Sequence, residues 1–160
     1  MRKALVALFA FCLVPGLFAQ GGGPVQTATT TLSSTQLRAL HGTQVQLIPA
    51  PGAGQLLAPI SVVFQYKAGN APYTIGGDGG HVAVYVGTPN NVVTEVAATG
   101  FLDQATSQVF MSEGIGGIGI SPQATLENAP VTVRNDSAAE WTGGDGTVTI
   151  TVYYTAVALQ

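Results

Sequence analysis

Charged side chains are scarce in this sequence. Only 8% of its 160 residues are Asp, Glu, Lys or Arg, and the formal net charge is -3, whereas soluble domains carry about 25% charged residues. A basic surface that neutralises phosphates needs many Lys and Arg side chains, and disordered tails are rich in charge. The composition therefore excludes a nucleic-acid partner and predicts one folded domain, because roughly 100–200 residues make a domain.

Cysteine is nearly absent, since Cys12 is the only one. Disulfides, thiol nucleophiles and thiolate metal sites are therefore excluded from the rest of the chain. The sequence also lacks H-E-x-x-H, G-x-S-x-G and any cluster with the spacing of a zinc site. We therefore predict no catalytic residues, no cofactor and no resident metal.

The N-terminus has the three parts of a secretory signal peptide. Arg2 and Lys3 precede an apolar run over residues 4–18, which ends before Ala19 and the polar Gln20. A membrane span needs about 20 apolar residues, so this shorter run predicts a segment, residues 1–19, that is cleaved after about Ala19. The expected product is secreted, periplasmic or at the cell surface, has no membrane span, and keeps three strong bases against eight acids.

A flexible lead-in is expected over residues 20–30, because QGGGPVQTATT has no periodic apolar face. A single domain then spans residues 31–160. Its one predicted helix is short: Ser33 or Ser34 caps a turn that carries Leu37 and Leu40.

Period-two alternation dominates the remaining sequence and indicates β-strands. Pro59 interrupts the longest of them and should lie at an edge or a bulge. Leu56, Ala58, Ile60, Val62, Phe64 and Tyr66 are expected on one face of that strand. The predicted strands are 56–67, 81–87, 92–97, 105–111, 124–128, 130–134 and 147–158. Short strands with glycine-rich turns predict an all-β protein, an antiparallel β-sandwich of jelly-roll type with one short N-terminal helix.

Two Gly-Gly-Asp-Gly turns, at residues 76–79 and 143–146, are weak metal candidates through Asp78 and Asp145. They resemble the start of the calcium-binding nonapeptide G-G-x-G-x-D-x-U-x. The position of its aspartate ligand holds His81 or Val148 here. We therefore favour ordinary turns in which the aspartate accepts backbone hydrogen bonds.

Aromatic side chains offer a second type of site. Trp141, Tyr73 and Tyr85 could form a platform for a sugar ring, although a single tryptophan beside a strand more often closes the end of a sandwich core. Asp136 and Glu140 flank the same loop and are the candidate acid and base of a small glycoside hydrolase. His41 and His81 are assigned structural roles.

A glycine loop at residues 114–119 contains G-x-G-x-x-G, but Ser121 and Pro122 follow instead of a helix that would bind a pyrophosphate. Its isoleucines, Ile115 and Ile118, and the adjacent Ile120 are instead expected to contact another subunit.

Two stretches resemble small β-rich structural proteins of tailed-phage virion gene clusters. The first is LSSTQLRALH at 32–41 running into VQLIPAPGAG at 45–54, and the second is WTGGDG at 141–146. The resemblance implies a symmetric, often trimeric, decoration or tail-associated subunit. The predicted signal peptide departs from this pattern, because virion proteins assemble in the cytoplasm.

The leading functional hypothesis is an exported, non-catalytic structural module that self-associates as a homo-oligomer, with a trimer favoured. Few charges, threonine-rich strand faces and apolar loops are typical of surface that a partner covers. One alternative is a carbohydrate-binding module that contacts a surface polysaccharide. The other is the small glycoside hydrolase.

Overall fold

Two four-stranded antiparallel sheets make up most of the protein. The computed structural model describes residues 23–112 and 121–160. The strands are β1 Gln26–Leu32, β2 Val45–Ile48, β3 Gln55–Lys67, β4 Tyr73–Thr74, β5 His81–Val86, β6 Val92–Ala97, β7 Gln108–Ser112, β8 Val131–Asn135, β9 Thr142–Gly143 and β10 Thr147–Ala158. The helices are α1 Ser34–Arg38 and α2 Gln123–Leu126.

The strand order is that of a jelly roll. Sheet A has the order β1-β10-β3-β7 and sheet B the order β2-β8-β5-β6, while the two-residue strands β4 and β9 pair separately. Among the eight longer strands, the first therefore pairs with the last, the second with the seventh, the third with the sixth and the fourth with the fifth. This wrapped-hairpin pairing confirms the predicted all-β sandwich.

The core lies between the sheets, because alternate residues of each strand face inward. Val148, Ile150 and Val152 of β10 are fully buried, as the alternation predicted. Sheet B contributes Val82 and Val84 from β5. In the described residues, no helix is long and apolar enough to cross a membrane.

Pro59 lies at a bulge, as predicted. The register between β3 and β10 shifts between Tyr153 and Tyr154, and Pro59 is the partner of Tyr154. The extra residue of the bulge changes which residues of β3 face the core. Before the bulge the odd-numbered Leu57 is buried, and after it the even-numbered Val62 is buried. The expectation of one uninterrupted apolar face was therefore wrong, and Ile60 is exposed.

Helix α1 begins as predicted, with Ser33 as its N-cap. The Ser33 hydroxyl accepts a hydrogen bond from the Gln36 backbone N–H at 3.3 Å, and the Gln36 side chain accepts one from the Ser33 N–H at 3.0 Å. This reciprocal capping box satisfies two N–H groups that a helix start leaves without partners. Leu37 and Leu40 are then buried against the core.

Three further expectations about local structure were wrong. Residues 26–30 of the expected lead-in belong to β1, because their β-branched threonines pair with the threonines of β10.

Residues 124–128 are not a strand. Pro122, with φ of -55°, starts a helical turn whose Thr125 N–H donates to the Pro122 carbonyl, and only Glu127 bridges to β3. Strand β7 covers 108–112 instead of 105–111.

Candidate assembly surface

The outer face of sheet A carries mostly uncharged side chains, many of them threonines. Its central rows follow from the strand register, in which Thr29, Thr151, Val63 and Met111 lie side by side across four strands. The next row is Thr31, Thr149, Gln65 and Val109.

On the β1 side of this face, threonine hydroxyls of β1 and β10 form hydrogen bonds with each other. The hydroxyls of Thr29 and Thr151 are 3.1 Å apart, and those of Thr31 and Thr149 are 2.9 Å apart. Cross-strand threonine pairs of this kind stabilise neighbouring strands by roughly 0.2–1 kcal/mol each. They also join β1 to β10, and this half of the surface is polar without charge.

The β7 side of the same face is apolar. Val109 and Met111 have 62% and 63% of their surface exposed, while Phe110 between them faces inward and packs on the core. Strand β7 is the edge of sheet A, and β3 is its partner among the described residues. It carries no lysine, proline or other residue that commonly protects an exposed edge from pairing.

Charge is concentrated away from this face. Lys67, at the end of β3, is the one charged residue within the four described strands of sheet A. The strands of sheet B contain Glu95 and Arg134, and His81 lies near Glu95. The strands of sheet B therefore contribute charges of both signs, whereas those of sheet A contribute one lysine.

The proposed sugar platform is not present. Trp141, Tyr73 and Tyr85 have exposures of only 1%, 2% and 4%, so none offers a ring face on which a sugar could stack. The Trp141 indole N–H donates to the Gly79 carbonyl at 3.3 Å, and the Tyr73 hydroxyl donates to the Gly146 carbonyl at 2.7 Å. Burial raises the pKa values of Tyr73 and Tyr85. Trp141 and Tyr73 instead belong to the core, in agreement with the alternative prediction that Trp141 closes the end of the sandwich.

The aspartates of the two Gly-Gly-Asp-Gly turns accept hydrogen bonds from neighbouring loops. The Asp145 carboxylate accepts hydrogen bonds from the Ala71 N–H at 2.9 Å and the Asn70 side-chain amide at 3.2 Å. A Cβ at Gly69 would overlap this carboxylate. Asp78 reaches the Ala138 N–H at 3.4 Å. Neither aspartate belongs to a group of three or more potential metal ligands within the described residues.

Asp145→Asn should destabilise the protein at neutral pH and have little effect in acid. The Ala71 and Asn70 hydrogen bonds hold the pKa of Asp145 below its ordinary value of 3.8. A group with a depressed pKa in the folded state stabilises that state above its unfolded pKa, and the contribution is lost as the pH falls through the folded pKa. Thermal unfolding at pH 7 and at pH 2–3 measures this. A difference between the two proteins that stayed constant with pH would contradict it.

The candidate hydrolase carboxylates are both engaged by the protein. Asp136 accepts from the His81 backbone N–H at 2.6 Å. Glu140 accepts from the N–H groups of Gly42 at 3.0 Å and His41 at 3.4 Å. They connect their loop to different segments, so the pair does not form a free acid and base across a cleft.

The predicted subunit contact through Ile115, Ile118 and Ile120 lies outside the described residues. Val109 and Met111 were not among the contact residues predicted from the sequence. The alternation of Val109, Phe110 and Met111 predicts that Phe110 faces the opposite side of the strand from the other two. It does not tell which of these two sides faces the core.

Among the comparisons with known proteins, the search of solved structures finds a similarity. No family model and no curated protein matches this sequence. Among solved structures, the chain is similar to a protein in the "Cyanophage Pam1 capsid asymmetric unit", with 18% identity and a TM-score of 0.47. The alignment covers 97% of this chain and 96% of that chain.

Proposed function

We propose that this protein is a non-catalytic structural subunit that self-associates through the outer face of sheet A. The observation that carries the proposal is the pair of exposed apolar residues, Val109 and Met111, which lie on the edge strand of a sheet whose described strands contain one charged residue. Exposed apolar patches on soluble proteins commonly mark surfaces that a partner covers. The fold itself does not decide the function, because jelly rolls serve many purposes.

A second copy of the same chain is the partner that this face fits best. The chain is acidic, with a net charge of -3, so two copies repel each other wherever their acidic surfaces approach. The outer face of sheet A avoids this cost, since Lys67 is its one charged group within the described strands. Threonine hydroxyls both donate and accept hydrogen bonds. Such groups find partners on any part of the same face of a second copy, so the surface suits the heterologous contacts of a closed ring.

The proposal extends to a closed homo-oligomer, with a trimer as the expected stoichiometry, and to export by the predicted signal peptide. Oligomers of soluble proteins are mostly closed and symmetric, and an edge strand that pairs within a ring is no longer open to further addition. Mass spectrometry of the exported protein should find Gln20 as its first residue. Retention of residues 1–19 would contradict the export mechanism and leave the assembly proposal standing.

Oxidation of Met111 tests the proposed interface. Met1 and Met111 are the two methionines of the sequence, and peptide mapping separates them. We expect hydrogen peroxide to oxidise Met111 several-fold more slowly at a protein concentration at which copies associate than at high dilution. An Ala97→Met variant supplies the matched control, because Ala97 is exposed on β6 of the other sheet. Equal oxidation of Met111 at every concentration would contradict the proposed interface.

A further inference from the structure

Three side chains that the assembly surface does not use meet on the outer side of sheet B. His81 begins β5, Glu95 lies on the neighbouring β6, and Asp136 directly follows β8 on the other side of β5. One potential ligand atom from each residue lies within 4.8 Å of the others. The side chains of His81, Glu95 and Asp136 are 39%, 43% and 26% exposed, so solutes can reach them.

Asp136 fixes the orientation of the His81 ring. Its Oδ1 accepts the His81 backbone N–H at 2.6 Å, and its Oδ2 lies 3.1 Å from His81 Nδ1. A carboxylate held by the backbone in this way favours the tautomer in which Nδ1 carries the proton. The lone pair of the neutral ring is then on Nε2. Histidines that bind metals have this same support, with the other ring nitrogen donating to a carboxylate.

His81 Nε2 and Glu95 Oε1 face each other at 3.9 Å. This distance is longer than a hydrogen bond between nitrogen and oxygen, which spans about 2.7–3.2 Å. In the neutral tautomer both atoms carry lone pairs and neither offers a proton. A cation between them would satisfy both. Zinc bonds to histidine nitrogen and to carboxylate oxygen are each about 2.0–2.2 Å long, so one ion reaches both atoms at the observed separation.

We propose that His81 and Glu95 form a binding site for a divalent transition-metal ion of the zinc class, and that Asp136 is its positioning residue. Imidazole nitrogen selects zinc-class ions over calcium and magnesium, which prefer oxygen ligands. Water molecules would complete the coordination of such a partly exposed site.

The nearby cation does not occupy the proposed site. The Arg134 guanidinium lies over the Tyr85 ring, 5.5 Å from its centroid. Its charge is therefore held at the aromatic ring. A bound ion would join β5 and β6, while the Asp136 contact ties the same histidine to the segment after β8. Metal binding should consequently stabilise the folded state.

Zinc titration of the full chain tests the site by two independent measurements. In NMR spectra we expect the His81 ring signals to shift or broaden with added zinc chloride. The signals of His41, which is exposed and outside the cluster, should change much less. The midpoint of thermal unfolding should rise over the same zinc range, and magnesium chloride should cause neither change.

Variants separate ligation from general effects of charge. Glu95→Gln keeps the shape of an exposed side chain, removes a ligand and should abolish most of the zinc response. Glu127→Gln is the matched control for loss of one acidic charge and should respond as the unaltered protein does. Asp136→Asn should weaken binding while leaving Nε2 able to bind. An unchanged zinc response in Glu95→Gln, an equal response to magnesium, or a His81 signal that responds to pH but not to zinc would overturn the proposal.

Discussion

Replacement of both Val109 and Met111 by lysine should convert the assembled protein into single chains. Each side chain is more than 60% exposed in the isolated subunit, so lysine is accommodated there without loss of core packing. In an oligomer that covers this face, the same change places two ammonium groups per copy in a surface with little other charge. Burying a charge without a partner costs several kcal/mol, and each increment of about 1.4 kcal/mol weakens association tenfold.

Sedimentation equilibrium measures this effect, and circular dichroism checks that the fold is kept. A control variant with lysine at Ala97 and Ala53 adds the same charge at exposed positions, on β6 and in the β2–β3 turn. The control should assemble as the unaltered protein does. Equal assembly of the Val109 and Met111 variant would show that copies meet elsewhere, whereas dissociation of the control as well would mean that added charge alone prevents association.

Trp141→Ala should lower the free energy of unfolding by about 3–5 kcal/mol, the usual cost of removing a large aromatic side chain from a core. Trp141 is 1% exposed, packs within the core cluster and donates its indole N–H to the Gly79 carbonyl. The variant therefore leaves a cavity and a carbonyl without its partner. Because domains of this type are stable by only about 5–15 kcal/mol, a large part of the total is lost.

Chemical denaturation measures the Trp141 effect against Tyr153→Ala. Tyr153 is an aromatic residue of β10 with 38% exposure, so its removal should cost about 1 kcal/mol or less. Retention on polysaccharide columns provides a second measurement, and neither variant should change it. A Trp141→Ala protein that kept its stability and lost retention on polysaccharide would contradict the buried position and restore the sugar-platform hypothesis.

Regular alternation made the fold predictable from the sequence. The β10 face of Val148, Ile150 and Val152, the Ser33 cap and the Pro59 bulge all follow from local rules, because each depends on residues close together in the chain. The wrong prediction for Ile60 shows the limit of such local rules. The residues predict a bulge, but the choice of which later residues face inward depends on pairing with β10.

The sites were less predictable because they depend on distant residues. Trp141, Tyr73 and Tyr85 are ordinary candidates for a binding surface until the packing around them is known. His81 and Asp136 are 55 residues apart in the chain, and only the pairing of β5 with β8 brings them together. The outer face of sheet A likewise combines four strands drawn from both ends and the middle of the sequence. No local pattern encodes such a surface.

The absolute mass of the purified protein across a concentration series tests self-association most directly. Multi-angle light scattering should show a discrete species larger than one chain, with a trimer as the expected mass, and the same species should persist over a range of concentrations. A mass equal to one chain at every concentration would contradict the account.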